Sequence, residues 1–386
     1  MNLILFDDEY RGRLRPFTLT RPEACLRVGV MTIAEKWEKY GAEKVSFLTQ
    51  DYLAEKFPVC KGLDNFWVAG SLLPDEELAA EVRALSPDEA LCDEAGAVVA
   101  CRNAQGPTAA NLKKHPFATT LSRITRLPDI FLKNDEELRK DFSLLTRGRT
   151  SAPLSTTNRV VGSLENLFLE EGAVVEDATL NVKDGPIYIG KNAEVMEGVL
   201  VRGPFAMCEH AQLKMGAKVY GATTLGPWCK SGGELSNVVF FGFSNKAHDG
   251  FLGNSVVGEW CNFGADTNAS NLKNNYGHIK LWDYEEAALC DTGLQFCGLF
   301  MGDHSKCGIN SMFNSGTVVG VACNLFDTGF HPNFVDSFSY GSPEKGYERY
   351  RFDKAMETAE QAYHRRHKTL TSVDKAVLKK IFDELS

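Results

Sequence analysis

His248 stands three residues before the run 251–267, FLGNSVVGEWCNFGADT, and Asn271 stands four residues after it. Histidine is the side chain whose ordinary pKa lies near neutrality, so a neutral imidazole can take the proton that an amine must lose as it attacks an acyl carbonyl. The constellation points to acyl transfer. A lone histidine is more often structural, and His248 stands out through its neighbours: the tripeptide Lys246-Ala-His248, the turn Leu252-Gly253-Asn254 and the pair Asn262/Asn271. Zinc chemistry is the competing use of histidines on such a scaffold. His210, His248, His278 and His304 lack the HxxxxH pair that would support it, so no metal is expected there.

The elements that must position these residues are short strands and tight turns. Apolar-glycine pairs at Leu252-Gly253, Val257-Gly258 and Phe263-Gly264 recur at intervals of five and six. Counting in sixes gives Ile189, Val195, Val201, Met207, Leu213, Val219 and Leu225, and then Met301, Cys307, Phe313, Val319 and Leu325, all apolar. A period of six belongs to a hexapeptide β-solenoid, whose coils bury one residue per side. The rhythm runs from about 160 to 326 and is lost over 272–300, where a long loop must leave the coil. Asn310 and Asn314 read either as the lining of a ligand groove or as ladders in turns, the second being favoured.

Residues 1–150 carry no such rhythm. Short apolar strands at 3–6, 45–48, 66–69 and 97–100 alternate with helical stretches at 32–40 and 74–85, which implies an α/β domain with a largely parallel sheet. Acidic residues Asp75, Glu76 and Glu77 suit the first turn of the second helix. Polar, turn-rich residues 146–157 mark a boundary, and the tail shows helical spacing over 352–367 and 372–385, with Ser372 or Thr371 as N-cap. The resulting division is 1–150, 158–330 and a helical extension at 345–386.

Bulk composition narrows the partners. The 386 residues are 44% hydrophobic and 24% charged, with a formal charge of −9, so nucleic acid and anionic lipid are not favoured and an anionic substrate needs a local basic pocket. No apolar run reaches the roughly 18 residues that span a bilayer. The acidic start of the chain reads as no signal peptide, and eleven cysteines without a CxxC pair read as reduced thiols; both suggest a cytoplasmic protein.

The segment 12–29, GRLRPFTLTRPEACLRVG, resembles the opening of sugar-1-phosphate nucleotidyltransferases, whose pattern is GxGTRLxPxTxxxPKxLxxxG. With the hexapeptide half included, the chain resembles the bifunctional N-acetylglucosamine-1-phosphate uridylyltransferase/glucosamine-1-phosphate acetyltransferase family, in an alternate bacterial form. The resemblance covers most of the chain and is strongest over 220–325. It implies a Rossmann-like nucleotidyltransferase domain followed by a left-handed parallel β-helix, assembled as a homotrimer. It assigns His248 to the sugar amine, Phe251 to the sugar phosphate at a position where the family has tyrosine, and Asn262 and Asn271 to substrate binding. Lys230 and Lys246 match the family's basic residues loosely, and Lys273 and Lys280 are further candidates from the loop.

Over the first domain the resemblance is broken where the chemistry would sit. Arg13, Leu14, Pro16 and Thr18 match, so Arg13, Thr18 and Glu23 occupy the nucleotide-binding positions. The glycine-rich loop is replaced by Asp8-Glu-Tyr-Arg-Gly12, the lysine by Glu23, and the metal-binding aspartate by Ser71. Nucleotidyl transfer depends on cations at the phosphates, so weak or absent activity is expected, with Mg²⁺ needed only if this domain is active. The leading reading is therefore acetyl transfer from acetyl-CoA to an amino sugar phosphate, with glucosamine-1-phosphate the expected acceptor. The alternatives are a nucleotidyltransferase using UTP or dTTP, with the solenoid assembling the oligomer, and a non-catalytic nucleotide-sugar-binding scaffold.

Overall fold

A computed structural model describes residues 1–117 and 120–385. The chain divides into two compact units: Met1–Leu14, Thr20–Leu26 and Met31–Asp129 form the first, and Arg15–Leu19, Arg27–Val30 and Ile130–Ser386 the second.

The first unit is built on a six-stranded sheet of β1 (Asn2–Phe6), β2 (Lys44–Leu48), β3 (Phe66–Ala69), β4 (Glu89–Cys92), β5 (Val98–Arg102) and β6 (Lys113–Pro116), in the order β2-β1-β3-β5-β4-β6. The expected strands are present, and the sheet is mixed. β5 runs antiparallel to both β3 and β4, because the short 93–97 connection folds β4 and β5 into a hairpin, whereas the other three pairings are parallel. β4 and β6 carry too little apolar pattern to be read from sequence. Helix α1 (Ile33–Lys39) begins at a capping box, in which the Thr32 hydroxyl accepts from the Glu35 N–H and the Glu35 carboxylate accepts from the Thr32 N–H. Helix α2 (Glu76–Ala84) is capped by Asp75 and buries Leu78, Ala79 and Val82.

From Ile130 onward the second unit comprises most of α3 (Asp129–Leu132), then α4 (Asn134–Thr146), and continues as a parallel β-solenoid of about ten turns. The hexad residues are its core. Ile189, Met207 and Leu225 stack on one side of successive coils, Val195 and Leu213 on the second, and Val201 and Val219 on the third, all at most 2% exposed. Strand register gives the coil lengths: along the second side Glu194, Gln212, Lys230, Asn245, Asn262, Lys306 and Asn324 are neighbours in turn. The step from Asn262 to Lys306 contains the excursion expected at 272–300, folded as an antiparallel hairpin of Lys280–Asp283 with Ala288–Asp291. One coil corner is held in the left-handed region by a column that includes His210, Trp228, Phe243, Trp260 and His304, all with φ between 56° and 63°.

The hexad line extends past Leu325. His331 stacks in register on Phe313 inside the coil; its Nδ1 is 2.8 Å from the Tyr347 hydroxyl, and burial pulls its pKa down to about 4. Helices α5 (Phe352–His364) and α6 (Ser372–Lys380) complete the unit. Thr371 is the N-cap of α6, in a capping box with Asp374. All eleven cysteines are free, and eight are buried. No helix among the described residues is long and apolar enough to cross a membrane.

Candidate functional site

Alternation along a strand decides which side chains can meet a ligand: neighbouring residues point to opposite faces. In the two-residue strands of the second solenoid side, Lys230, Asn245 and Asn262 take the outward positions, and Ser231, Lys246 and Phe263 the inward ones. Lys246 is therefore inside the coil, 2% exposed, and its Nζ donates to the carbonyls of His248 at 3.0 Å, Gly250 at 2.9 Å and Gly232 at 3.3 Å. Burial lowers its pKa to about 8. It braces the backbone beneath His248.

His248 lies on the corner that follows, exposed, with no hydrogen bond to its ring among the described residues. The corner opens into the strand Phe251–Glu259, where Phe251 and Asn271 converge. A Cβ placed on Gly253 would lie 2.6 Å from both the Phe251 ring and the Asn271 Nδ2, so the absence of a side chain at 253 leaves room for the two to meet. The Asn271 amide donates to Asn254 Oδ1 at 2.7 Å, one coil away, and Asn268 Oδ1 accepts from the Phe251 N–H at 2.8 Å. The structure thus gathers Phe251 and Asn271 on one face.

Lys230 and Asn262 belong to a different face. They line a cavity of about 330 Å³ together with Asn245, Lys306 and the C-terminal end of α5. The Asn245 amide donates to Asn262 Oδ1 at 2.9 Å, which fixes both amides. Lys306 was invisible in the sequence because 44 residues separate it from its register partner Asn262, and its hydrogen bond to the His304 carbonyl, at 2.8 Å, holds it in place. Lys273, the remaining candidate, sits on the excursion, where its Nζ donates to the His278 carbonyl at 2.7 Å. Lys280 begins the hairpin.

In the first unit, the turn after β1 is occupied by its own side chains. The Tyr10 N–H donates to Asp8 Oδ1 at 3.0 Å, the Asp8 N–H to Glu23 Oε2 at 3.3 Å, and the Glu23 N–H to Asp7 Oδ1 at 2.9 Å. The N–H groups of Asp8, Tyr10 and Arg11, which a phosphate cradle would use, are thus taken within the turn. Glu23 is fully buried, and burial together with the Asp8 and Asp7 charges holds its carboxyl well above the usual range. Ser71, at the position of the lost aspartate, donates to Asp8 Oδ2 at 2.5 Å, while Asp7 Oδ2 accepts from Arg11 Nε at 2.8 Å. Both oxygens of Asp7 and of Asp8 are thus taken internally, while the buried Glu23 Oε1 has no hydrogen-bond partner; among the described residues no group of three or more His, Cys, Asp or Glu could hold a metal, so the residues present do not fit a Mg²⁺ site. Of the other two candidates, Arg13 is exposed and Thr18, in the second unit, is fully buried.

Residues 3–150, which take in nearly all of this unit and the first helices of the second, match a protein-family model described as sugar nucleotidyl transferase. No curated protein sequence matches the chain. Among solved structures, a Bacillus cereus protein assigned as an acetyltransferase is similar over 54% of this chain and 98% of its own, at 10% identity and a TM-score of 0.28. The B. cereus N-acyltransferase AntD, solved with dTDP and 3-hydroxybutyryl-CoA, is similar over 54% of this chain and 91% of its own, at 11% identity and a TM-score of 0.25. An Arabidopsis UDP-N-acetylglucosamine acyltransferase covers 60% of this chain and 91% of its own, at 13% identity and a TM-score of 0.23.

Proposed function

We propose that this chain is an acyltransferase of sugar-nucleotide metabolism, whose solenoid moves an acetyl group from acetyl-CoA to the amine of an amino sugar phosphate, with glucosamine-1-phosphate the acceptor of choice. The observation that carries the reading is the exposed, unpartnered His248 at a coil corner, braced from beneath by Lys246 and followed by the converging Phe251 and Asn271. In this reading His248 takes a proton as the amine attacks the thioester carbonyl, the C–N bond forms as the C–S bond breaks, and the proton passes on to the departing thiolate. Phe251 and Asn271, gathered on the face that follows His248, orient the acceptor and its phosphate. The acting form is a homotrimer of cytoplasmic protein, with the groove shared between neighbouring coils.

A second reading is supported by the match of residues 3–150 to sugar nucleotidyl transferases: formation of a nucleotide sugar from UTP or dTTP. The internal hydrogen bonding of Asp7 and Asp8 and the buried Glu23 in place of the phosphate-binding lysine weigh against it. One experiment separates the two. Purified protein is offered acetyl-CoA with glucosamine-1-phosphate, and separately UTP with N-acetylglucosamine-1-phosphate and Mg²⁺, and products are identified by mass spectrometry. Acetylated sugar phosphate is expected from the first mixture and little nucleotide sugar from the second. Nucleotide sugar without any acetylated product would replace the first reading with the second.

A further inference from the structure

Helix α5 is docked onto the solenoid through the corner column of rings. Tyr363 stacks on Trp260 at 3.8 Å between ring centroids and lies near-parallel to His304 at 6.0 Å, so it enters the column where the long excursion separates adjoining coils in sequence. Phe243 covers Trp260 from the other side at 4.3 Å. Both faces of the indole are therefore taken, because two rings at such distances cannot share one face. The docking brings the last turn of α5 and the two residues that follow it, Arg365 and Arg366, over the outward side chains of the second solenoid side.

The result is a cavity with four cations, Lys230, Lys306, Arg365 and Arg366, and no carboxylate among its described lining residues. The buried Nε of Arg366 has no hydrogen-bond partner. Burial, then the neighbouring charges of Arg366, Lys214 and Arg365, lowers the pKa of Lys230; Glu194, two coils away, opposes this least of the contributors and is itself held by Gln212 at 2.8 Å. Uncompensated like charge in a concave, partly desolvated pocket costs stability unless an anion enters. Two fixed amides, Asn245 and Asn262, stand ready to donate to its oxygens.

We propose that this cavity is a binding site for a phosphoryl anion of at least two negative charges, completed by the two arginines that follow α5 and read by charge rather than by base stacking. With both faces covered, the Trp260 indole offers no open face to a base, and the guanidinium groups suit the geometry of phosphate oxygens. The charge argument stands whether or not the solenoid transfers an acyl group; it rests on that reading only for the two phosphorylated compounds used below as competitors.

The test is calorimetric titration of the full chain with inorganic pyrophosphate at constant ionic strength, without turnover. Saturable binding is expected, and Arg366→Gln should weaken it by at least about 10-fold, the worth of a charge-assisted hydrogen bond. Lys306→Gln should weaken it comparably and covers the case in which Arg366→Gln does not fold. Lys354→Gln removes the same charge from α5, where the ammonium pairs with Glu357 at 2.8 Å outside the cavity, and should leave affinity within about two-fold. Displacement of pyrophosphate by coenzyme A would assign the site to a diphosphate, and displacement by glucosamine-1-phosphate to a sugar monophosphate. Absence of saturable binding, or equal weakening by Lys354→Gln, would overturn the proposal.

Discussion

Two titratable side chains, His248 and Glu23, mark opposite uses of environment. His248 has an exposed ring, open to an incoming amine, on a backbone corner pinned by Lys246. If it takes the proton in acyl transfer, His248→Ala lowers the acetylation rate by roughly 10²–10⁴-fold while leaving acetyl-CoA affinity nearly unchanged, as steady-state and binding measurements would read. Full activity in that variant would remove histidine from the chemistry. Glu23 is enclosed instead, with its pKa raised by burial and by Asp8 and Asp7. A carboxyl raised in the folded state contributes stability below its ordinary pKa of about 4.5, and that contribution is lost as pH rises through the raised value. Glu23→Gln keeps an oxygen for the Asp8 N–H and cannot ionise. The variant should match the wild type near pH 4.5, exceed its melting temperature at pH 8 and show a flatter profile between them. A variant less stable than wild type at pH 8 would mean that Glu23 is ionised in the fold.

At the scale of the element, the coils stack so closely that side-chain absence is a structural requirement at some positions and incidental at others. Gly264 and Gly308 lie at neighbouring corners of successive coils. A Cβ on Gly264 would come within 2.2 Å of the Gly308 backbone, whereas one on Gly308 would meet nothing closer than 3.5 Å. Gly264→Ala should destabilise by about 1–3 kcal/mol, the usual cost of overpacking, and Gly308→Ala should stay within about 0.5 kcal/mol, both read by chemical denaturation. Similar losses from the two would show that coil spacing adjusts freely. Inward polar residues meet this stacking in two ways: Lys246 spends its three donors on three carbonyls, whereas His331 pairs its Nδ1 with the Tyr347 hydroxyl and leaves its buried Nε2 without a partner.

Over the whole molecule, the hexads from Ile189 to Leu225 and from Met301 to Leu325 fixed the solenoid in the sequence, because each side of a coil must bury a residue at that interval. The first unit's strands and capped helices were legible for the same kind of reason, except β4, whose buried run is only the three residues Ala90–Cys92, and β6, none of whose residues is buried. Local periodicity could not reveal what crosses coils or long gaps. Lys246 reads as a polar residue beside His248, yet a coil of 15 residues carries the register from Ser231 to Lys246 and turns its side chain inward. Lys306 meets Asn262 only because the excursion closes on itself, and Arg365 and Arg366 join them only because Tyr363 is inserted among the corner rings. The sequence alone determined the repeating scaffold and placed a histidine on it, since those follow from spacing. Which face that histidine shares, which lysines are buried and which cations gather in one cavity were decided by register and helix docking, which depend on contacts between residues far apart in the chain.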